Sequence, residues 1–241
     1  MAGYASSALA ETYVIDPAQS TIAVTGNVFY APFSLNLPIV EQSPGSNIVT
    51  FNGSVDASVA GGNITITGAN ADADLQPLPQ SPDIGGVTGT APADAGLSIG
   101  PGLGDVALRD FVVSISGGPT PLTGGTDFDL TALSLLISGG TIDYAVPLAS
   151  LVGSTTLVGT ITSPTSGTGT LVGDVLTIPV DVSVSFVVDD AGTPDTADDS
   201  IATVFLNGSI VAAVPEPGTI AMLGVGLIGL VAVGRRRFRK V

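Results

Sequence analysis

The sequence predicts an all-β protein: an antiparallel β-sandwich or barrel-like body followed by a single C-terminal transmembrane helix. Three observations predict it. Apolar residues alternate with small polar ones at period two through much of the 241-residue chain. Glycine and proline, 32 and 17 of them, punctuate these runs, and no convincing 3.6-residue period precedes the tail. The run from Thr219 to Gly234 carries no charge and is followed by RRRFRK.

The alternation is clearest at Leu176, Ile178, Val180, Val182, Val184 and Phe186, whose polar partners are Thr177, Pro179, Asp181, Ser183 and Ser185. Such a strand has one buried and one wet face. Pro179 lacks an N–H, so the strand is expected at an edge, or with Pro179 at a bulge. Val49 to Val59 alternates in the same way. Further strands are expected over Thr12–Ile15, Thr21–Tyr30, Ala107–Ser116, Asp127–Ile137, Leu151–Thr162, Thr170–Leu176 and Ser200–Ala213. Two Gly-Gly pairs read as hairpin turns, because both central residues accept positive φ. Gly61-Gly62 would join Val55–Ala60 to Asn63–Thr67, and Gly139-Gly140 would join Leu133–Ser138 to Thr141–Val146. Gly68 to Gly104 is the main irregular segment: either a boundary between two β halves or an excursion from one domain, the latter being preferred.

Composition excludes much chemistry. The chain has no His, no Cys and no Trp. A Ser-His-Asp or Cys-His nucleophile is impossible, as is a His or Cys metal ligand. The net charge of −15 has the wrong sign for nucleic acid. That charge is divided: through Val214 the chain holds 20 acidic residues and one basic residue, while from Pro215 onward it holds five basic residues and Glu216. The two parts must meet different surroundings.

Thr219–Gly234 would span roughly 24 Å as a helix, somewhat less than a hydrocarbon core of ~30 Å. Arg235, Arg236, Arg237, Arg239 and Lys240 extend that reach by snorkelling and anchor the segment on the cytoplasmic side. The alternative is a buried core helix with a basic tail. Ahead of it, Val214-Pro215-Glu216-Pro217-Gly218 enforces an extended, unpaired backbone.

This C-terminal segment, VPEPGTIAMLGVGLIGLVAVGRRRFRKV, resembles the PEP-CTERM sorting signal of bacterial exported proteins. The resemblance implies recognition of Pro215, Glu216 and Pro217 by an exosortase-type membrane protease. It also implies transient insertion in the inner membrane and delivery to the cell surface or extracellular matrix. At the other end, Ala8-Leu9-Ala10 fits the small-residue pattern before a signal-peptidase cut, although MAGYASSALA lacks a basic n-region. The recorded start is therefore expected to fall inside a longer signal peptide. The resulting organisation is a residual signal end (1–10), an extracytoplasmic β domain (11–213) and a sorting signal (214–241).

Within the body, Asp189, Asp190, Asp195, Asp198 and Asp199 crowd one interstrand segment. Such carboxylates suit a Ca²⁺ ion, but the spacing is not that of an EF-hand, and a solvated acidic hairpin loop is the preferred reading. Asp72, Asp74 and Asp83 form a looser group. Arg109 is expected to pair with Asp110 or Asp105. Tyr13-Val14-Ile15-Asp16-Pro17-Ala18-Gln19-Ser20-Thr21-Ile22 is similar to the opening of YceI-like lipocalin-type barrels. That similarity implies a lumen for a lipid or isoprenoid, although Gln19 stands where that family usually has His. No pair of carboxylates is spaced to mark a glycosidase. The expectation is a non-enzymatic surface or matrix protein with no catalytic residues and no cofactor beyond Ca²⁺. Its structural or adhesive role would be toward divalent cations or matrix polysaccharide. A lipid-carrying barrel is the alternative.

Overall fold

Period-two alternation produces strands throughout the computed structural model, which describes residues 10–31, 34–73, 93–146, 151–159, 161–162, 167–189 and 199–215. The strands are β1 (Glu11–Ile15), β2 (Thr21–Tyr30), β3 (Leu35–Glu41), β4 (Ile48–Ala60), β5 (Asn63–Ala73), β6 (Ala95–Ile99) and β7 (Gly104–Pro121). They continue as β8 (Asp127–Asp129), β9 (Leu133–Val146), β10 (Leu151–Thr156), β11 (Ile161–Thr162), β12 (Thr168–Val172), β13 (Val175–Asp189) and β14 (Ser200–Ala213). Single helical turns at Gly100–Leu103 and Leu130–Ala132 interrupt them.

Every strand belongs to one 14-stranded sheet, and every pairing in it is antiparallel. The path runs β10-β9-β7-β6-β3-β2-β4-β1-β14-β13-β12-β8. Between β2 and β7 it forks, through β3–β6 on one branch and β4–β5 on the other. The sheet curls on itself, because inward residues from both of its halves meet: Val24, Leu97, Leu108, Ile137, Val184 and Leu206 line one small space. Two glycines on the inner face permit this curl. A Cβ on Gly26 would strike the Thr203 carbonyl oxygen, and one on Gly208 that of Thr21, so β2 and β14 approach closely only as glycine.

One apolar cluster fills the interior, drawing on strands from both ends of the chain. Phe51 and Phe111 meet edge to face at 6.0 Å and 64°, a pairing worth ~0.5–1.5 kcal/mol beyond its buried area. Apolar cavities of ≈ 10 and ≈ 30 Å³ remain in this core. They approximate the room for single water molecules, whereas a lipid needs ~300 Å³ or more. Neither of these cavities is the lumen that the lipocalin-type similarity implies.

Several expectations need correction. Gly61-Gly62 does turn a hairpin, with φ of 57° and 79°. Gly139-Gly140 does not. It lies inside the continuous strand β9, where the register against β7 shifts between Arg109 and Val113. The neighbouring strand absorbs the glycines as a bulge: Asp110 opposite them takes φ 50°, and a Cβ on Gly139 would press on the Asp110 carbonyl oxygen at 3.0 Å. The strand expected over Thr170–Leu176 is instead two, turned at Gly173-Asp174. Asp127–Ile137 is broken by the turn at Leu130, where the Asp129 carboxylate accepts the Thr131 N–H at 2.8 Å. Leu151–Thr162 divides into β10 and β11. The supposedly irregular Gly68–Gly104 contributes the end of β5 and all of β6. The strand of Pro179 is not an edge strand of the sheet, since β13 lies between β14 and β12; among the described residues β12 pairs with it at Val175–Thr177, and Pro179 lies beyond those pairs.

Candidate functional site

The most defined functional feature is the place where the chain leaves the sheet. The end of β14 is held from both sides. Ala212 lies opposite Ile15 of β1 and Leu176 of β13, and Ala213 lies opposite Val14 and Val175. One position earlier the pairing passes from β2 to β1; the Asp16 N–H donates to the Val211 carbonyl at 2.9 Å, and Ser20 adds two more bonds. Its buried hydroxyl donates to the Val211 carbonyl at 3.0 Å and accepts the Val211 N–H at 2.9 Å.

Ser20 is placed by a local turn that the sequence encodes. The Asp16 carboxylate accepts the Ala18 N–H at 3.0 Å and the Gln19 side-chain amide at 2.6 Å. The Gln19 and Ser20 N–H groups donate to the Asp16 carbonyl. Asp-Pro at the head of such a turn is the expected chemistry. The residues that resembled a lipocalin-type opening therefore build the β1–β2 turn and clamp the last strand.

Among the described residues the last backbone bond is Val214 N–H to the Asp174 carbonyl, at 3.0 Å. Val214 packs against the core, and Pro215 stands exposed. Proline offers no N–H, so the ladder ends there for a chemical reason. Sequence reasoning missed Ser20 and Asp174 in this clamp. A signal for Asp174 was present, since Gly-Asp between two apolar runs is a hairpin dipeptide.

Negative charge gathers at this exit. Tyr13, buried on β1, has its phenol pushed up by burial first, then by Glu11 and Asp174. Its hydroxyl points to Glu11 Oε2 at 3.5 Å.

The other site candidates lie apart. Asp189 ends β13 opposite Ser200, and Asp199, buried, immediately precedes β14. Asp190, Asp195 and Asp198 fall outside the described residues, so the five expected calcium ligands are not placed together. Among the described residues no group of three acidic side chains is arranged to hold a metal. Asp72 lies on β5, and Asp74 and Asp83 are outside the described residues. Glu216, Pro217, the expected transmembrane helix over Thr219–Gly234, and Arg235, Arg236, Arg237, Arg239 and Lys240 also lie outside them. No described helix is long and apolar enough to cross a membrane.

Arg109 pairs with neither Asp110 nor Asp105. Its Nε donates to Asp143 Oδ2 at 2.7 Å, both side chains being buried. The reason is strand geometry. Asp110 adjoins Arg109 at a bulge, and Asp105 is four residues away along an extended chain. Asp143 on β9 lies opposite Ala107, diagonal to Arg109 and on the same face. Beside this pair, the Phe111 N–H donates to the buried Asp94 carboxylate at 2.7 Å.

Residues 213–237 match the family described as PEP-CTERM protein-sorting motif. The match begins at the last residue of β14. No curated protein and no solved structure matches the chain. The motif supports an exported protein directed to an exosortase, its C-terminus held at the membrane before processing.

Proposed function

We propose that this chain is a non-enzymatic cell-surface or matrix protein, whose β body is displayed outside the cell after its sorting segment is processed. One observation carries the reading. Among the described residues the last backbone hydrogen bond is made at Val214, and the exposed Pro215 starts the Pro-Glu-Pro within the matched residues 213–237. The address segment thus begins where that bond is made. The pairings described for β14 all lie before Pro215, so the released body is expected to keep its fold. Five of the six basic residues leave with the tail, and the body departs with a strongly acidic composition that self-repulsion keeps soluble.

A non-enzymatic role is supported by the side chains present. The body has neither His nor Cys, and its only cation is committed to a buried ion pair. C-terminal mass spectrometry of the protein from its native host tests the proposal. A mature chain ending near Pro215–Pro217, recovered from the envelope or matrix, is the expected result. Deleting 215–241 should send the body unprocessed into the medium. An intact C-terminus in the finished protein, or identical retention of both forms, overturns the reading.

A further inference from the structure

On the outer face of β3, β2, β14 and β13, three successive rows of side chains carry no charge. Pairing registers place its side chains in rows. Phe29, Ile201 and Val187 lie directly opposite one another on β2, β14 and β13. Two residues along, Asn27, Thr203 and Ser185 form the next row, and then Thr25, Phe205 and Ser183. On β3 the outward positions are Asn36 and Pro38, opposite Phe29 and Asn27, followed by Val40. None of these residues is charged. Acidic residues resume at the borders, with Asp181, Asp189 and Glu41.

The face is also exposed. Phe205 is 44 % accessible and Phe29 39 %, and Ile201, Val187 and Val40 are similar. Phe51, Phe111 and Phe128 are by contrast fully buried. The hydroxyl and amide row is pre-ordered by its own bonds: Asn27 donates to Asn36 at 2.8 Å, and Ser185 and Thr203 share a hydrogen bond at 2.9 Å. Each of these groups retains further donor or acceptor capacity. The result is an apolar row at Phe29, Ile201 and Val187, a polar row about 7 Å along, and Phe205 with Val40 in the row about 7 Å beyond that.

Charge and size select the partner. The body's one cation, Arg109, is buried against Asp143, so an anionic polymer meets only repulsion or neutral groups. A face roughly 14 Å by 14 Å offers ~200 Å², against the ~800 Å² per side of a stable protein interface. A second copy would therefore have to bring acidic borders together. An uncharged polysaccharide has the matching character: apolar C–H faces for Phe29 and Phe205, and hydroxyls for the Asn, Thr and Ser row.

We propose that the β3–β2–β14–β13 face binds a neutral polysaccharide. The proposal names the partner of the exported body and rests on that reading for its setting only. The test uses the full chain in detergent micelles, incubated with cellulose, cross-linked dextran and starch, and with alginate as the anionic polymer. Retention on at least one neutral polymer, unchanged by added salt and absent on alginate, is expected. Phe205→Ala or Thr203→Asp should weaken it about tenfold, equivalent to ~1.4 kcal/mol. Val152→Ala, an exposed site on β10, should leave it unchanged, and trypsin resistance verifies that each variant is folded. Retention on none of the neutral polymers overturns the proposal. So does binding indifferent to the face variants, or concentration-dependent dimerisation abolished by them, which would make the occupant a second copy. Shortening of a bound polymer would instead refute the non-enzymatic reading and leave the surface standing.

Discussion

Replacing Asp143 by Ala tests how much the body depends on its single cation. The change removes the carboxylate 2.7 Å from Arg109 Nε and leaves a guanidinium in a site only 7 % exposed. Breaking a buried pair from one side costs ~3–5 kcal/mol, mainly because the remaining charge loses its opposite partner in a buried site. At ~2–4 °C per kcal/mol for a domain of this size, the melting temperature should fall by roughly 6–20 °C. The assay is built into the sequence. Arg109 is the only Lys or Arg before Arg235, so trypsin reaches the body at one bond. That bond lies inside the paired strand β7 and is cut only when the sheet opens. Under increasing urea, Asp143→Ala should yield the two fragments at clearly lower concentration than wild type. The double variant Arg109→Met/Asp143→Leu should recover most of the loss, because neither member of the pair is then left buried without the other. Since it also deletes the tryptic site, its midpoint must be read by circular dichroism. A loss below about 1 kcal/mol for Asp143→Ala would refute the argument that the pair is buried and mutually dependent.

Three other outcomes follow from the same coordinates. Asp94→Ala should destabilise by ~1–3 kcal/mol, since the Phe111 N–H loses its buried acceptor; Asp94→Asn, which keeps an oxygen, should lose less in urea denaturation. Gly208→Ala drives a Cβ into the Thr21 carbonyl and should cost ~1–3 kcal/mol or more, whereas Gly61→Ala, with open space and only a φ of 57° against it, should cost about 1 kcal/mol by the same measurement. Tyr13 and Asp129 set opposite pH limits. The raised Tyr13 phenol contributes stability that is complete below its ordinary value near 10.0 and is lost as pH climbs through the folded value. Tyr13→Phe should therefore flatten the alkaline limb of a melting-temperature profile. Asp129 is held below the usual carboxylate range by the Thr131 N–H, so its contribution persists at neutral pH and disappears on acidification; an unchanged acid limb in Asp129→Ala would contradict this.

Reading depth along the chain followed the range of the physics involved. Alternation is a property of neighbouring residues, so β2 and β14 could be delimited from the sequence to their end residues, and β4 to within one. Short or interrupted strands were not legible. Pro38 masks β3, and β6 is five residues with a glycine. Their identity as strands comes from the partners that satisfy their backbones, β2, β6 and β7.

The sorting segment was legible because its recognition depends on order along the chain: Pro-Glu-Pro, an apolar run, then arginines. No tertiary contact is needed to write such a message. Its precise junction with the body was also local, since a proline ends a ladder by lacking a donor. The remainder required the fold. Two Gly-Gly dipeptides had different fates, a hairpin at Gly61 and a bulge at Gly139, because only the second lies against β7. The choice of Asp143 over Asp105 and Asp110 was decided by a diagonal between strands 34 residues apart. The uncharged outer face likewise exists only once β2 and β14, far apart in the chain, are placed side by side. Periodicity and covalent chemistry act over a few residues and can be read from the sequence, while register and apposition are set by the closure of the whole sheet.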